Sequence, residues 1–215
     1  MKDLESTKSD LVSIKGVQIS CLHSGIKKSK NTDLVLIFFE QPVVVAGCFT
    51  KNIFAAAPVE ICKEKVDNFV MPIQGAFLIN SGCANACTGE IGFEDCFEII
   101  NFLAQEIELN PDQILPFSTG PIMERLPKEK IQKHIPALVK ELGHSNWSDA
   151  ALAIMTTDTF PKEVTKNIEL SQGIVNITAI AKGSGMICPN MATMLVFIVT
   201  DAVIENCDLS NLVEH

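Results

Sequence analysis

The stretch over residues 181–201 constrains the fold more than any other part of the chain. It begins with Lys182 and a Gly-Ser-Gly sequence, passes through Pro189, and ends in a continuous apolar run over residues 194–199. The run is β-branched and aromatic, which is typical of a strand buried on both faces. Thr193 stands directly before it, so a hydroxyl group lies where a glycine-rich loop enters the predicted strand.

Two interpretations of Thr193 fit this stretch. Threonine favours strands, so the residue can simply open a core strand. Alternatively, the end of a rigid strand is a good place to hold a nucleophile. A threonine hydroxyl needs a base to take its proton, and the α-amino group of an N-terminal threonine can do so. Cleavage after the small residue Ala192 would create that terminus.

Composition narrows the classes of function. The formal net charge of −9 is spread along the chain, which argues against a nucleic-acid partner because that partner requires a basic surface. No apolar run approaches the length of a membrane span, and the polar N-terminus lacks the apolar core of a secretory signal. The eight cysteines include no C-x-x-C pair, so we expect free thiols, no metal site, and a reduced, cytoplasmic protein.

Hydrophobic periodicity predicts both strands and helices, as in an α/β protein. Residues 1–15 form a polar segment, and we expect residues 16–215 to form a single α/β domain. The runs 34–39 and 43–49 are expected to pair around a short turn, and Pro136 to kink or split its helix. The predicted strands cover residues 17–22, 34–39, 43–49, 75–80, 164–170, 174–181 and 194–199, and the predicted helices cover 93–109, 126–142, 150–155 and 202–213.

Two loop segments are candidates for ligand contact. Residues 118–121 have the sequence Ser-Thr-Gly-Pro, in which the Thr119 hydroxyl and the Gly120 N–H are candidate donors to an oxyanion. The same sequence also fits an ordinary β-turn. Residues 81–89 are rich in Gly, Ala and Asn, which lets a ligand or another backbone approach closely. A tight turn without a ligand fits that composition equally well.

Residues 182–195 resemble the self-cleavage motif of the ornithine acetyltransferase family, the bifunctional glutamate N-acetyltransferases of arginine biosynthesis. The resemblance extends over nearly the whole chain from Gly16 onward, and its motifs occur in the family order. They lie at residues 47–59, 80–89, 118–120, 154–162 and 182–195.

The resemblance implies roles for matching residues. Thr193 would be the nucleophile, first for self-cleavage between Ala192 and Thr193 and then for acetyl transfer. The other implied site residues are Thr119 and Gly120 as the oxyanion hole, and Thr159 and Lys182 as substrate contacts beside Thr193.

The implied reaction is a ping-pong transfer. N-acetylornithine acetylates the threonine, ornithine leaves, and glutamate accepts the acetyl group. The resemblance implies no cofactor, although some members also accept acetyl-CoA as a donor. The implied fold is a layered α/β arrangement in which the strand after the cleavage point sits in the core.

The family continues well beyond the nucleophile, whereas this chain ends at His215. The resemblance therefore implies a truncated family fold and a complementary chain that carries the second half in a hetero-oligomer. Two alternatives stay open. One is an inactive or split fragment that needs such a chain. The other is an amidohydrolase with an N-terminal nucleophile, since the same chemistry also cleaves amides.

Overall fold

The computed structural model of the chain describes residues 11–69, 71–184 and 194–214, which form two β-sheets and helices in layers. The elements, in chain order, are β1 (Val17–Leu22), β2 (Leu34–Phe39), α1 (Ala57–Asn68), β3 (Ala76–Ser81), α2 (Glu90–Glu106), β4 (Ile114–Thr119), α3 (Lys128–Lys140), α4 (Trp147–Ile154), β5 (Lys162–Leu170), β6 (Gly173–Lys182), β7 (Leu195–Thr200) and α5 (Asn206–Glu214). No helix within these described ranges is both long enough and apolar enough to cross a bilayer.

The first sheet is mixed and has the strand order β1-β2-β3-β4. The β1–β2 and β2–β3 pairs are antiparallel, whereas β3 and β4 are parallel. A parallel pair needs a crossover connection, and α2 supplies it between these two strands. The carboxyl ends of β3 and β4 therefore lie side by side, with Ser81 opposite Thr119.

Both faces of the first sheet are covered, which explains why β2 is apolar throughout. Successive side chains of a strand point to opposite faces. Leu34 and Leu36 accordingly pack in the core that contains residues of α2 and α3. Val35 and Ile37 pack in the second core, with α4 and the inner face of the second sheet. The helix α4 thus lies between the two sheets.

The second sheet is antiparallel, with the order β5-β6-β7, and its first two strands form a hairpin. Its inner face contributes buried residues such as Phe197, whose ring lies 4.9 Å from that of Phe117 in β4, centroid to centroid. The outer face is different. Its side chains Val164, Ile168, Val196 and Ile198 are exposed, and we call these four residues the open apolar face.

This exposure corrects the prediction that residues 194–199 are buried on both faces. Val196 and Ile198 are 49% and 64% exposed, whereas Phe197 between them is 4% exposed. The strand is apolar on both sides, but the described elements cover only one of them. The sequence of β7 therefore carries the pattern of a doubly buried strand without the layer that would complete it.

The predicted strand over residues 43–49 was wrong. Only Val43 makes a bridge there, with Ile73. The reason is that β2 already bonds to β1 on one side and to β3 on the other, so no edge of it is left for a third strand. Residues 43–50 instead line a cleft to which both sheets contribute residues.

Pro136 does not interrupt its helix, contrary to the expected kink or split. The helix α3 runs through it from Lys128 to Lys140. Ile135 and Leu138 on either side are fully buried against α2 and the sheet. Tertiary packing of this face outweighs the local cost of the proline.

We expect Leu103→Ala to lower the free energy of unfolding by roughly 2–5 kcal/mol, because it leaves a cavity in the core beneath α2. Leu103 is fully buried. Phe97 on the same helix is 44% exposed, so Phe97→Ala is the matched control and should cost clearly less. Urea denaturation of both variants measures the difference. Equal losses would contradict the assignment of the buried face.

Candidate active site

The ends of two strands from different sheets meet at a buried hydrogen bond. Thr119 is the last residue of β4, and Lys182 is the last residue of β6. The Lys182 Nζ donates to the Thr119 Oγ1 at 2.8 Å, and the two residues are 4% and 7% exposed. Two of the residues singled out from the sequence are thus in direct contact, although 63 positions separate them in the chain.

The direction of this hydrogen bond determines what the Thr119 hydroxyl can do. An ammonium group has three donors and no acceptor. The Thr119 oxygen therefore accepts from Lys182, and its own proton is directed towards another acceptor. Burial lowers the pKa of the Lys182 ammonium, Asp158 opposes that effect, and Lys162 adds to it. Thr119 is in this way prepared to donate a hydrogen bond to a ligand.

Gly120 lies where only glycine fits. Its φ is +143°, and a Cβ there would lie 2.5 Å from the backbone nitrogen of Cys83. The contact arises because the Gly82 N–H donates to the Thr119 carbonyl at 2.7 Å, which holds the two strand ends together. The segment 82–84 and the segment 119–121 thus form one closely packed unit beside the cleft.

Strained backbone conformations concentrate in the loops that follow this unit. Asn85, Cys87 and Met123 have positive φ values of 49°, 58° and 63°. The Met123 N–H donates to the Ala86 carbonyl at 2.9 Å, which fixes one loop on the other. Non-glycine residues with positive φ cost energy and are found disproportionately at ligand sites. The feature supports a site at this end of the sheet.

Asp158 organises the other side of the Lys182 strand end. Its carboxylate accepts from the Gly183 N–H at 2.9 Å and from the Lys162 Nζ at 2.5 Å. Burial would raise the pKa of this carboxyl, but the hydrogen bonds from Lys162, Gly183 and Thr156 bring it down to about 2. In the sequence, Asp158 stands out only as one residue of the motif at residues 154–162. Its role depends on contact with a residue 25 positions away, which local composition does not reveal.

Thr159 is not part of the arrangement that the structure brings together. It is exposed and does not belong to the residues that line the cleft, unlike Thr119, Gly120 and Lys182. Ala192 and Thr193 lie outside the described residues. Ser184 and Met194, the described residues on either side of that gap, both line the cleft.

The cleft has a volume of about 2360 Å³. Small-molecule sites are usually about 300–1,000 Å³, so this space is larger than one small ligand requires. Its walls include the clustered rings of Phe39, Phe77, Phe117 and Phe197. The cleft is therefore a polar corner at Thr119 and Lys182 attached to a wide apolar opening.

Nothing in the described ranges supports a metal centre. No group of three His, Cys, Asp or Glu side chains is placed there to hold an ion. The described cysteines are free thiols. Burial raises the pKa of the Cys96 thiol to about 12, so this cysteine behaves as a small core residue.

In a comparison with known protein families, residues 18–215 match the model of the ArgJ family. Among curated relatives, the arginine biosynthesis bifunctional protein ArgJ of Gluconobacter oxydans is 41% identical over 203 residues, which is 94% of this chain and 47% of the relative. The same protein of Chlorobaculum tepidum is 44% identical over 197 residues, or 92% of this chain and 48% of the relative. The chain spans about half the length of these curated relatives.

Two solved structures share the fold. The arginine biosynthesis bifunctional protein of Bacillus halodurans superposes with a TM-score of 0.75 at 31% identity, covering 85% of this chain and 92% of that chain. The ornithine acetyltransferase of Mycobacterium tuberculosis, solved in complex with ornithine, has a TM-score of 0.74 at 32% identity, covering 85% and 94%. These matches confirm the predicted layered α/β fold.

We expect Asp158→Asn to lower the free energy of unfolding at pH 7 by roughly 1–2 kcal/mol, because it removes a carboxylate whose pKa is depressed in the folded state. The wild-type contribution is fully present above the ordinary carboxyl pKa of about 4 and is lost as the pH falls towards about 2. The stability difference between the two proteins should therefore shrink across that window. Urea denaturation at several pH values measures it.

The exposed Asp67 offers a matched control, and Asp67→Asn should change stability by no more than about 0.5 kcal/mol. A difference between wild type and Asp158→Asn that stays constant from pH 7 to pH 2 would contradict the depressed pKa.

Proposed function

This chain belongs to the ArgJ family of bifunctional arginine biosynthesis proteins, and we propose that it carries the acetyl-transfer site of a glutamate N-acetyltransferase. The proposed reaction moves an acetyl group from N-acetylornithine to glutamate through an ester on Thr193. The observation that carries the proposal is the buried Lys182–Thr119 hydrogen bond. It presents a hydroxyl donor at the cleft that Met194, the residue after Thr193, also lines.

The first half-reaction begins with proton transfer from the Thr193 hydroxyl to the α-amino group of the same residue. The Oγ attacks the acetyl carbonyl, and negative charge develops on the carbonyl oxygen. The Thr119 hydroxyl and the Gly120 N–H donate to that oxygen. The C–N bond then breaks, the proton returns to the leaving amine, and ornithine departs. One oxyanion donor contributes about 10²–10³ to kcat in enzymes of this type of chemistry.

The second half-reaction reverses these steps with a different amine. Glutamate enters, its neutral amino group attacks the acetyl ester, and the same donors stabilise the oxyanion. The ester C–O bond breaks, the Thr193 oxygen regains a proton, and N-acetylglutamate leaves. Lys182 supports both halves because its ammonium keeps the Thr119 proton directed at the reacting carbonyl. No cofactor is needed, and acetyl-CoA is an alternative acetyl donor for the same ester.

The α-amino group of Thr193 exists only after the Ala192–Thr193 bond is cleaved, so self-cleavage is part of the proposal. The share of each relative that this chain matches supports self-cleavage. The solved relatives are matched over 92% and 94% of their chains, whereas the curated relatives are matched over only 47% and 48%. The solved chains are therefore about half as long as the curated proteins, as expected for a protein that works as two polypeptides.

The proposed active form includes a second half, on the same polypeptide or on a complementary chain. Two features of the described residues support it. The open apolar face exposes four large side chains on one sheet, and such contiguous patches mark interaction surfaces. The cleft is also wider than the substrates need. Thr159, which does not line this cleft, remains the proposed second substrate contact, formed once the second half covers it, and the cytoplasm is the proposed compartment.

The same open surfaces favour a second candidate, a split or inactive fragment that acquires activity only with its complement. We expect the 215-residue chain alone to transfer no acetyl group from N-acetylornithine to glutamate and to keep the Ala192–Thr193 bond intact, because the strained site is incomplete without the covering half. An acetyl-exchange assay and intact-mass measurement test this. Robust exchange by the isolated chain, or two pieces by mass, would contradict it.

Supplying the second half of a curated relative should produce exchange that Thr193→Ala abolishes. Thr200→Ala, at the far end of the same strand, is the matched control and should retain most of the activity. Release of free acetate in place of N-acetylglutamate would instead identify an amidohydrolase. Exchange that survives Thr193→Ala would refute the proposed nucleophile.

We expect Ile198→Glu to weaken association with that second half by more than tenfold, because it places a charge in a surface that becomes buried. Ile198 is 64% exposed in this chain, so the variant itself should fold normally. Ile91→Glu is the matched control, since Ile91 is 49% exposed on α2 and lies away from the second sheet. Titration calorimetry measures both affinities. Equal affinities would show that the open apolar face is not the contact surface.

A further inference from the structure

The loop over residues 23–33 is folded around one buried carboxylate. Asp33 is fully buried, and its two oxygens accept from the Ser24 N–H at 2.6 Å, the Ser24 hydroxyl at 2.8 Å, the Ile26 N–H at 2.8 Å and the Lys27 N–H at 2.9 Å. A carboxylate that accepts several backbone N–H groups holds a loop rigidly. The backbone of Lys27 is therefore fixed before its side chain makes any contact.

The Lys27 side chain reaches across the molecule to the end of α4. Its Nζ donates to the Thr32 carbonyl at 3.0 Å and to the Ala153 carbonyl at 2.8 Å. Ala153 is in the last turn of α4, where carbonyl groups lack partners within the helix. A cation is favourable at this end of a helix. The Ser81 hydroxyl donates to the same carbonyl at 2.5 Å, so this one oxygen receives two donors from different parts of the chain.

The Ala153 carbonyl lies between the two sides of the candidate site. On one side, Ser81 precedes Gly82, whose N–H holds the Thr119 carbonyl. On the other, α4 leads within a few residues to Asp158, which accepts from the Gly183 N–H. The donors on this carbonyl therefore tie the end of β3, beside Thr119, to the segment that fixes the backbone after Lys182.

Lys27 also lines the same cleft as Lys182. Burial lowers the pKa of the Lys27 ammonium, Asp33 opposes this effect, and Lys182 adds to it. The Asp33 carboxylate thus supplies a negative charge that favours the Lys27 ammonium in the cleft that Lys182 also lines. The described hydrogen bonds connect Lys27 to Thr119 through the Ala153 carbonyl, Ser81 and the Gly82 N–H.

We propose that Lys27 is a positioning residue for the candidate site: by holding the Ala153 carbonyl together with Ser81, it sets the distance between the Thr119 and Lys182 strand ends. The catalytic meaning of this role rests on the proposed function, but its geometry does not. Lys27 touches neither the substrate nor the reacting atoms. Its removal should loosen the site while leaving the central strands of the first sheet intact.

Amide hydrogen exchange by NMR tests the proposal on the folded chain. Lys27→Met keeps the aliphatic stem but removes the donors, so the Gly183 and Gly82 amides should exchange at least about tenfold faster. The Leu36 amide in the centre of the sheet should change much less. A residue that only stabilises the whole fold would accelerate all three equally. Lys27→Arg, which restores a donor cation, should recover most of the protection.

Lys130→Met is the matched control, because Lys130 of α3 donates to the Gly25 carbonyl of the same loop at 2.7 Å. It should leave the Gly183 amide within about twofold of wild type. The proposal is overturned if Lys27→Met accelerates Gly183 no more than Leu36. Should Lys27→Met fail to fold, Ser81→Ala decides by the same comparison, since it removes the other donor on the carbonyl.

A kinetic arm separates this proposal from the proposed function. With the second half supplied, Lys27→Met should lower kcat for acetyl exchange about tenfold and change KM for N-acetylornithine by less than about twofold. A loss confined to KM would contradict a positioning role. If the wild-type complex transfers no acetyl group, the proposed function fails, whereas the exchange rates of Gly183 and Leu36 still decide the role of Lys27.

Discussion

The hydrogen bond from the Lys182 Nζ to the Thr119 Oγ1 is the interaction on which the candidate site depends. It joins the last residue of β6 to the last residue of β4 and so connects two sheets that share no backbone hydrogen bonds in the described chain. A lysine can be buried there because Asp158 stands near it as a countercharge. Phe117 lies two residues before Thr119, and Phe197 lies close to the start of β7. The edge-on contact of their rings joins the same two sheets through apolar side chains. The polar and the apolar contact together therefore fix the position of the second sheet relative to β4.

Much of the fold could be predicted from sequence pattern because the pattern is local. The spacing of apolar residues indicated α2, and the predicted strands 164–170 and 174–181 closely match β5 and β6. The prediction of a strand at residues 43–49 was wrong for a non-local reason, because β1 and β3 occupy both edges of β2. The prediction that β7 is buried on both faces was wrong for a different reason. An apolar pattern shows that both faces of a strand can be covered, but it does not show whether a covering layer is present.

The site was predictable in part for the same reason. Thr119, Gly120 and Lys182 stand in short motifs with recognisable chemistry, and the structure brings these three to one cleft. Asp158 and Lys27 act through backbone groups distant in sequence, and no spacing rule points to such contacts. A lysine that binds a carbonyl 126 positions away looks, in sequence, like any other lysine of a polar loop. Residues that hold a site in place are therefore harder to find than those that form it.

The strand β7 has a consequence for how this chain behaves at high concentration. It is one of the two terminal strands of its sheet in the described part of the chain, and it presents exposed valine and isoleucine side chains at alternate positions. A terminal strand offers unpaired backbone groups to any other extended segment, and charge or proline normally discourages that encounter. The sequence LVFIVT contains neither. A chain with this edge is prone to join copies of itself into cross-chain sheets, so its concentration matters as much as its stability.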